Sequence, residues 1–191
     1  MVIFLLSGLA SAAGFHGSAA WITSHGPDAY ALAALAAEAA PGLEVGVLAV
    51  GGTRSALFAT GARRVGLGER AHATAELRLG MAEEAGAVAG FSLDLGVPAG
   101  PVLAVAGGGF TGGLGWRGFA GADAPISEAW TLSPRLRAET WAGDRDLALR
   151  AAMGLRWEGA RGRWIGLEAS AGGRDVFHLG PGVALTLGSR P

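Results

Sequence analysis

The stretch Arg70-Ala71-His72-Ala73-Thr74-Ala75-Glu76-Leu77-Arg78-Leu79-Gly80-Met81-Ala82 decides how this chain folds. Taken two residues at a time, it sorts completely. Ala71, Ala73, Ala75, Leu77, Leu79 and Met81 fall on one side; Arg70, His72, Thr74, Glu76, Arg78 and Gly80 fall on the other. A helix turns about 100° per residue and would scatter those charges around its circumference. A strand sends successive side chains to opposite faces, so the segment is predicted as a β-strand with one apolar and one polar face.

The same alternation recurs on both sides of it. Ala89, Phe91, Leu93, Leu95 and Val97 oppose Gly90, Ser92, Asp94 and Gly96. Leu147, Leu149, Ala151, Met153, Leu155 and Trp157 oppose Arg150, Gly154, Arg156 and Glu158. Ile165, Leu167, Ala169 and Ala171 oppose Trp164, Gly166, Glu168 and Ser170, and Val183, Leu185 and Leu187 close the series. Compact turn signals separate the runs, among them Pro41-Gly42, Glu84-Ala85-Gly86, Pro98-Ala99-Gly100 and Gly143-Asp144. This reading gives strands at 14–23, 28–38, 43–52, 55–66, 70–82, 86–97, 101–110, 112–121, 130–142, 146–158, 162–172 and 176–188. Most are near the 9–11 residues that a tilted strand needs to cross a bilayer. Ten strands is the alternative. The Ala-rich run 29–40 has helix propensity, one of the segments around Gly107-Gly108-Gly109 could be a loop, and the connection from Gly121 to Glu128 is long.

Composition says what the alternation is for. The 191 residues suit one domain, only 16% are charged, and the mean hydropathy is positive. Yet no stretch approaches the ~20 apolar residues of a membrane-spanning helix. A chain apolar on average but never in a long run points to the other spanning solution, a closed all-β barrel. The polar face is small and sparse, with glycines at 46, 80, 90, 96, 154 and 166 on it, which would leave space inside a barrel but make a poor solvated shell. The opposite face carries almost no charge, as lipid contact requires. Trp21, Trp116, Trp141, Trp157, Trp164 and Phe177 fall near strand ends, where an interfacial girdle would place them. The expectation is a transmembrane antiparallel up-and-down β-barrel over residues 13–191, with membrane lipid as a partner. Residues 1–12, apolar at Val2–Leu6 and ending in the small run Leu9-Ala10-Ser11-Ala12, read as a signal peptide, although no basic residue precedes the apolar run.

The chain contains no Lys, Asn, Gln or Cys, so chemistry that depends on those side chains is excluded. A net charge of -1 implies neither nucleic acid nor an anionic surface as partner. Gly107-Gly108-Gly109 lacks the strand–helix context of a phosphate loop, and no His or carboxylate spacing suggests a metal, so no cofactor is expected.

From Ala12 onward the chain resembles the bacterial outer-membrane β-barrel superfamily, in which a signal peptide precedes amphipathic hairpins. Within it, Leu132-Ser133-Pro134-Arg135-Leu136-Arg137-Ala138-Glu139, with Leu155-Arg156-Trp157 closing the second hairpin strand, is similar to the YaiO-type small barrels. The resemblance implies an exported, porin-like protein of a Gram-negative envelope. The chain departs from it at Gly188-Ser189-Arg190-Pro191, where such barrels end on an aromatic residue read by the assembly machinery.

The residues expected to line the lumen are Arg70, His72, Glu76, Arg78 and Asp94 from the first half of the chain. Arg135, Arg137, Glu139, Arg150, Arg156, Glu158 and Glu168 come from the second, and Glu44 shares the inferred inward face. In a confined lumen opposite charges pair, bracing the wall. Functionally, Arg135 with Arg137 and Arg150 with Arg156 would create a positive field suited to a small anionic solute. The expected role is a narrow pore or structural envelope component, with no catalytic residue. Two rivals use the same wall. A lipid- or glycan-modifying hydrolase would draw on His16 with Ser18, or His72 with Thr74 and Glu76; an anchored subunit would dock on an envelope protein partner.

Overall fold

A computed structural model describes residues 14–23, 29–52, 55–140, 147–173 and 180–189. The expected signal peptide, Trp141 and Phe177 lie outside the described residues. The period-two segments become twelve strands: β1 (Phe15–Thr23), β2 (Ala29–Ala40), β3 (Leu43–Gly52), β4 (Ala56–Gly66), β5 (His72–Ala82) and β6 (Gly86–Ala99) in the first half. In the second half come β7 (Val102–Thr111), β8 (Gly115–Pro125), β9 (Trp130–Glu139), β10 (Ala148–Glu158), β11 (Arg163–Gly173) and β12 (Gly180–Ser189). Every strand pairs antiparallel with its neighbours in chain order, and β1 pairs with β12 to close the barrel. Closure matters physically, because no row of backbone N–H and C=O groups is left for a hydrocarbon environment that cannot satisfy it.

The doubtful segments are all wall. Ala29–Ala40 pairs with β1 on one side and β3 on the other, so helix formation there would strip both neighbours of their partners. The glycine-rich run is the middle of β7, and Gly112-Gly113-Leu114 suffices for the turn into β8, with Gly113 at φ 75. The long link expected after Gly121 is short, because β8 continues to Pro125 and only residues 126–129 lead into β9. The ten-strand alternative is thereby overturned.

The exterior is hydrocarbon. Leu77 and Leu79 are each 67% exposed, and Leu57, Met81, Leu167 and Val183 stand out in the same way. Exposed apolar area on this scale belongs against lipid. Outward-facing Trp21 and Trp116 lie at one end of the barrel; Trp130 and Trp157, opposite each other in register, lie at the end holding the start of β1 and the close of β12. They form the two aromatic girdles. Trp164 belongs to neither, because it faces inward across Gly188. No helix among the described residues is long and apolar enough to cross a membrane.

Inside, one small apolar cluster forms: Val50, Ala56, Phe58 and Ala82, with Leu32, Leu48, Val88 and Leu114 packed on it. These residues sit toward the end opposite the chain termini and fill part of the bore.

Candidate functional site

The alternation that puts leucine against lipid puts every other residue into the barrel interior, where a cavity of roughly 810 Å³ follows the axis. Its two walls differ. Strands β12 and β1 to β4 contribute Ala20, Leu32, Ala34, Ala36, Leu48 and Ala184, with Ser18, Thr60 and Thr186 as hydroxyls. The charges of this half that line the cavity, His16 and Glu44, stand near the terminal end, 3.6 Å apart. Strands β5, β6 and β8 to β11 carry the remaining lumenal charge.

That charge is organised in pairs. Arg78, 3% exposed, meets Glu76 at 2.5 Å and donates to Thr111 Oγ1 at 2.9 Å; Ser92 completes the cluster through Glu76. Arg135 bridges to Asp123 at 2.5 Å, and Ser133 donates to the same carboxylate. Arg137 reaches from β9 over β10 to Glu168 on β11 at 2.7 Å, a path that the small Ala152 and Gly154 beneath leave open. Arg150, 2% exposed, lies 3.5 Å from Glu139 and donates to the Gly180 carbonyl at 2.8 Å. Glu158 shares the inward face of β10 with Arg150 and Arg156.

Several large inward side chains lie flat over a glycine on the next strand. Arg78 crosses Gly90, His72 covers Gly96, Arg135 covers Gly121, and Phe58 covers Gly80. A Cβ on Gly121 would stand 2.7 Å from Arg135 Cδ, and one on Gly80 2.8 Å from Phe58 Cδ1. The lumenal glycines therefore do not simply leave space open, as the sequence suggests; they are seats for side chains that brace the wall.

Two lumenal residues escaped the sequence reading: Arg117 and Asp123 of β8, both lining the cavity. Arg117 is within electrostatic reach of Glu76, Asp94, Arg78 and Arg137. The signal was present, since Arg117, Phe119, Gly121 and Asp123 share one period-two face, but the surrounding glycines hid it. Arg70 departs from the expectation in the other direction. It stands on the exposed turn before β5 and donates to the carbonyls of Gly100 and Pro101 on the neighbouring turn, outside the lumen. Among the described residues Arg117 and Arg156 make no ion pair or hydrogen bond, and Arg156 Nε is buried without a partner.

The hydrolase arrangement does not assemble among the described residues. His16 approaches Glu44 rather than Ser18, and the buried Nδ1 of His72 has no partner. The described residues also hold no cluster of His and carboxylates able to bind a metal.

No protein-family model matches the chain, and neither does any curated protein sequence. Solved structures match the fold. The KdgM porin aligns with TM-score 0.66 at 5% identity, covering 93% of this chain and 99% of that one. A second structure of KdgM, in complex with disordered oligogalacturonate, gives 0.65 at 6% identity over 93% and 99%. The NanC porin gives 0.62 at 10% identity over 94% and 100%. The translocator domain of the autotransporter NalP from Neisseria meningitidis gives 0.52 at 13% over 99% and 93%. In fold, the closed antiparallel barrel is like those of the KdgM and NanC porins.

Proposed function

We propose that this chain is exported to a bacterial outer membrane, where it acts as a narrow pore for small anionic solutes. The observation that carries the reading is a lumenal cavity walled by guanidinium groups inside a barrel whose exterior is hydrocarbon. Four lumenal arginines are committed to carboxylates on the wall. Arg117 and Arg156 are the ones left to hold a mobile anion, which they would do by direct guanidinium–carboxylate contact. That a porin of the same fold is found with oligogalacturonate, a polyanion, supports the choice of solute sign. Residues 1–12 serve as the export signal in this reading, and the YaiO-type likeness of residues 132–139 belongs to the same proposal.

The test is single-channel conductance in planar bilayers after refolding verified by heat-modifiability on a denaturing gel. Small discrete conductance steps, with a reversal potential in a KCl gradient displaced toward chloride, are expected. Silence from a correctly folded barrel would leave only the structural role. Mass spectrometry of the protein from outer membranes checks export, with loss of the first twelve residues expected.

A further inference from the structure

We infer that the solute is an amphiphilic anion, a carboxylate carried on an aromatic or aliphatic body, rather than a polyhydroxylated acid; this rests on the pore reading above. The lumen is two-faced. One side offers guanidinium groups, with Arg117 toward one end and Arg156 toward the other. The facing arc, from β12 through β4, presents methyl and isobutyl groups along the length of the cavity: Ala20, Ala34, Ala36, Leu32, Leu48 and Ala184. Two aromatic rings, Phe119 and Trp164, stand in the same cavity on the charged strands.

A narrow bore strips part of the solute's hydration, so each wall selects what it can replace. A sugar acid turned toward the alanine arc would find three hydroxyl side chains, Ser18, Thr60 and Thr186, the His16–Glu44 pair at the terminal end, and hydrocarbon between them, leaving most of its own hydroxyls without protein partners. A phenyl or alkyl group turned the same way is removed from water at no hydrogen-bonding cost, while its carboxylate reaches the arginines across the bore. The absence of Asn, Gln and Lys from the chain sharpens this, since those side chains are the ready means of reading sugar hydroxyls. The apolar arc is also unnecessary for the wall itself. From Ala31 to Ala37 β2 is apolar on both faces, where lipid contact demands it on one.

The experiment compares two singly charged blockers of the KCl current, 4-phenylbutanoate and glucuronate, on the wild-type pore and on an Ala34→Ser, Ala36→Ser double variant. Each blocking concentration is referred to that pore's own KCl current. 4-Phenylbutanoate is expected to block at about tenfold lower concentration than glucuronate, and the gap to narrow to about threefold or less in the variant. Partition of the probe into lipid is the same for both proteins and cannot produce the narrowing. Equal block by the two anions, or a gap the serines leave unchanged, with KCl current present, overturns the amphiphile inference and leaves the pore standing. If a correctly folded barrel passes no KCl current, the pore reading falls and this inference falls with it.

Discussion

The side chain of Arg78 lies across the backbone of Gly90 and delivers its guanidinium to Thr111, two strands from its own. Nothing larger than glycine fits beneath it, because a Cβ on Gly90 would stand 2.8 Å from Thr111 Oγ1 and 2.9 Å from Thr111 Cα. The same device recurs where Arg150 passes Gly172 to reach the Gly180 carbonyl. These are structural guanidiniums, held nearly out of contact with solvent and tying together three strands each.

Gly90→Val should therefore destabilise the barrel by about 2–4 kcal/mol, combining overpacking with loss of a charge-assisted hydrogen bond. Gly61→Ala is the control. The space around Gly61 is open, with nothing within 4 Å of a built Cβ, and its effect should stay within about 0.5 kcal/mol. Equilibrium urea unfolding in lipid vesicles reads both; equal effects would show that the seat is not tight.

Leu77→Arg tests which face meets lipid. Leu77 lies midway along β5 and is 67% exposed, so a guanidinium there would sit in hydrocarbon and cost about 2–4 kcal/mol of folding stability. The same substitution on a water-facing wall would be close to neutral. Unfolding in vesicles again decides between them.

Phe58→Ala addresses the apolar cluster in the bore. Phe58 is 0% exposed and packs among Val50, Ala56 and Ala82, so truncation should cost about 3–5 kcal/mol. If the cluster also narrows the passage, unitary conductance rises in the same variant. A loss of stability with unchanged conductance would place the constriction elsewhere.

Charge reversal at Arg117 and at Arg156 should each lower the anion-to-cation permeability ratio by about twofold or more, measured as a shift of reversal potential in a KCl gradient. Arg70→Glu should leave the ratio unchanged, because that guanidinium is held on an exterior turn by Gly100 and Pro101. A response at Arg70 equal to that at Arg117 would mean that the mouth, not the lumen, sets selectivity.

Much of the wall was legible residue by residue. In β5, β6 and β10 outward apolar side chains alternate with inward polar or small ones, so strand and face follow from local pattern. In β7 and β8 glycine blurs both faces, and Arg117 and Asp123 were lost there although their spacing held. Arg70 was misplaced for the opposite reason. Alternation continues in the sequence past the point where the strand ends at His72, and periodicity carries no mark of where hydrogen bonding stops.

Period two, and with it a closed wall having a hydrocarbon side and a polar side, was determined by the sequence alone, because side-chain direction along a strand is set by the backbone of that strand. Which charges meet was decided only by closure. Arg137 and Glu168 are separated by 31 residues and by an intervening strand. The division of the lumen into a charged wall and an alanine wall likewise comes from how consecutive strands wrap around a common axis. Those relationships depend on the register and curvature of the whole barrel, which no local pattern encodes.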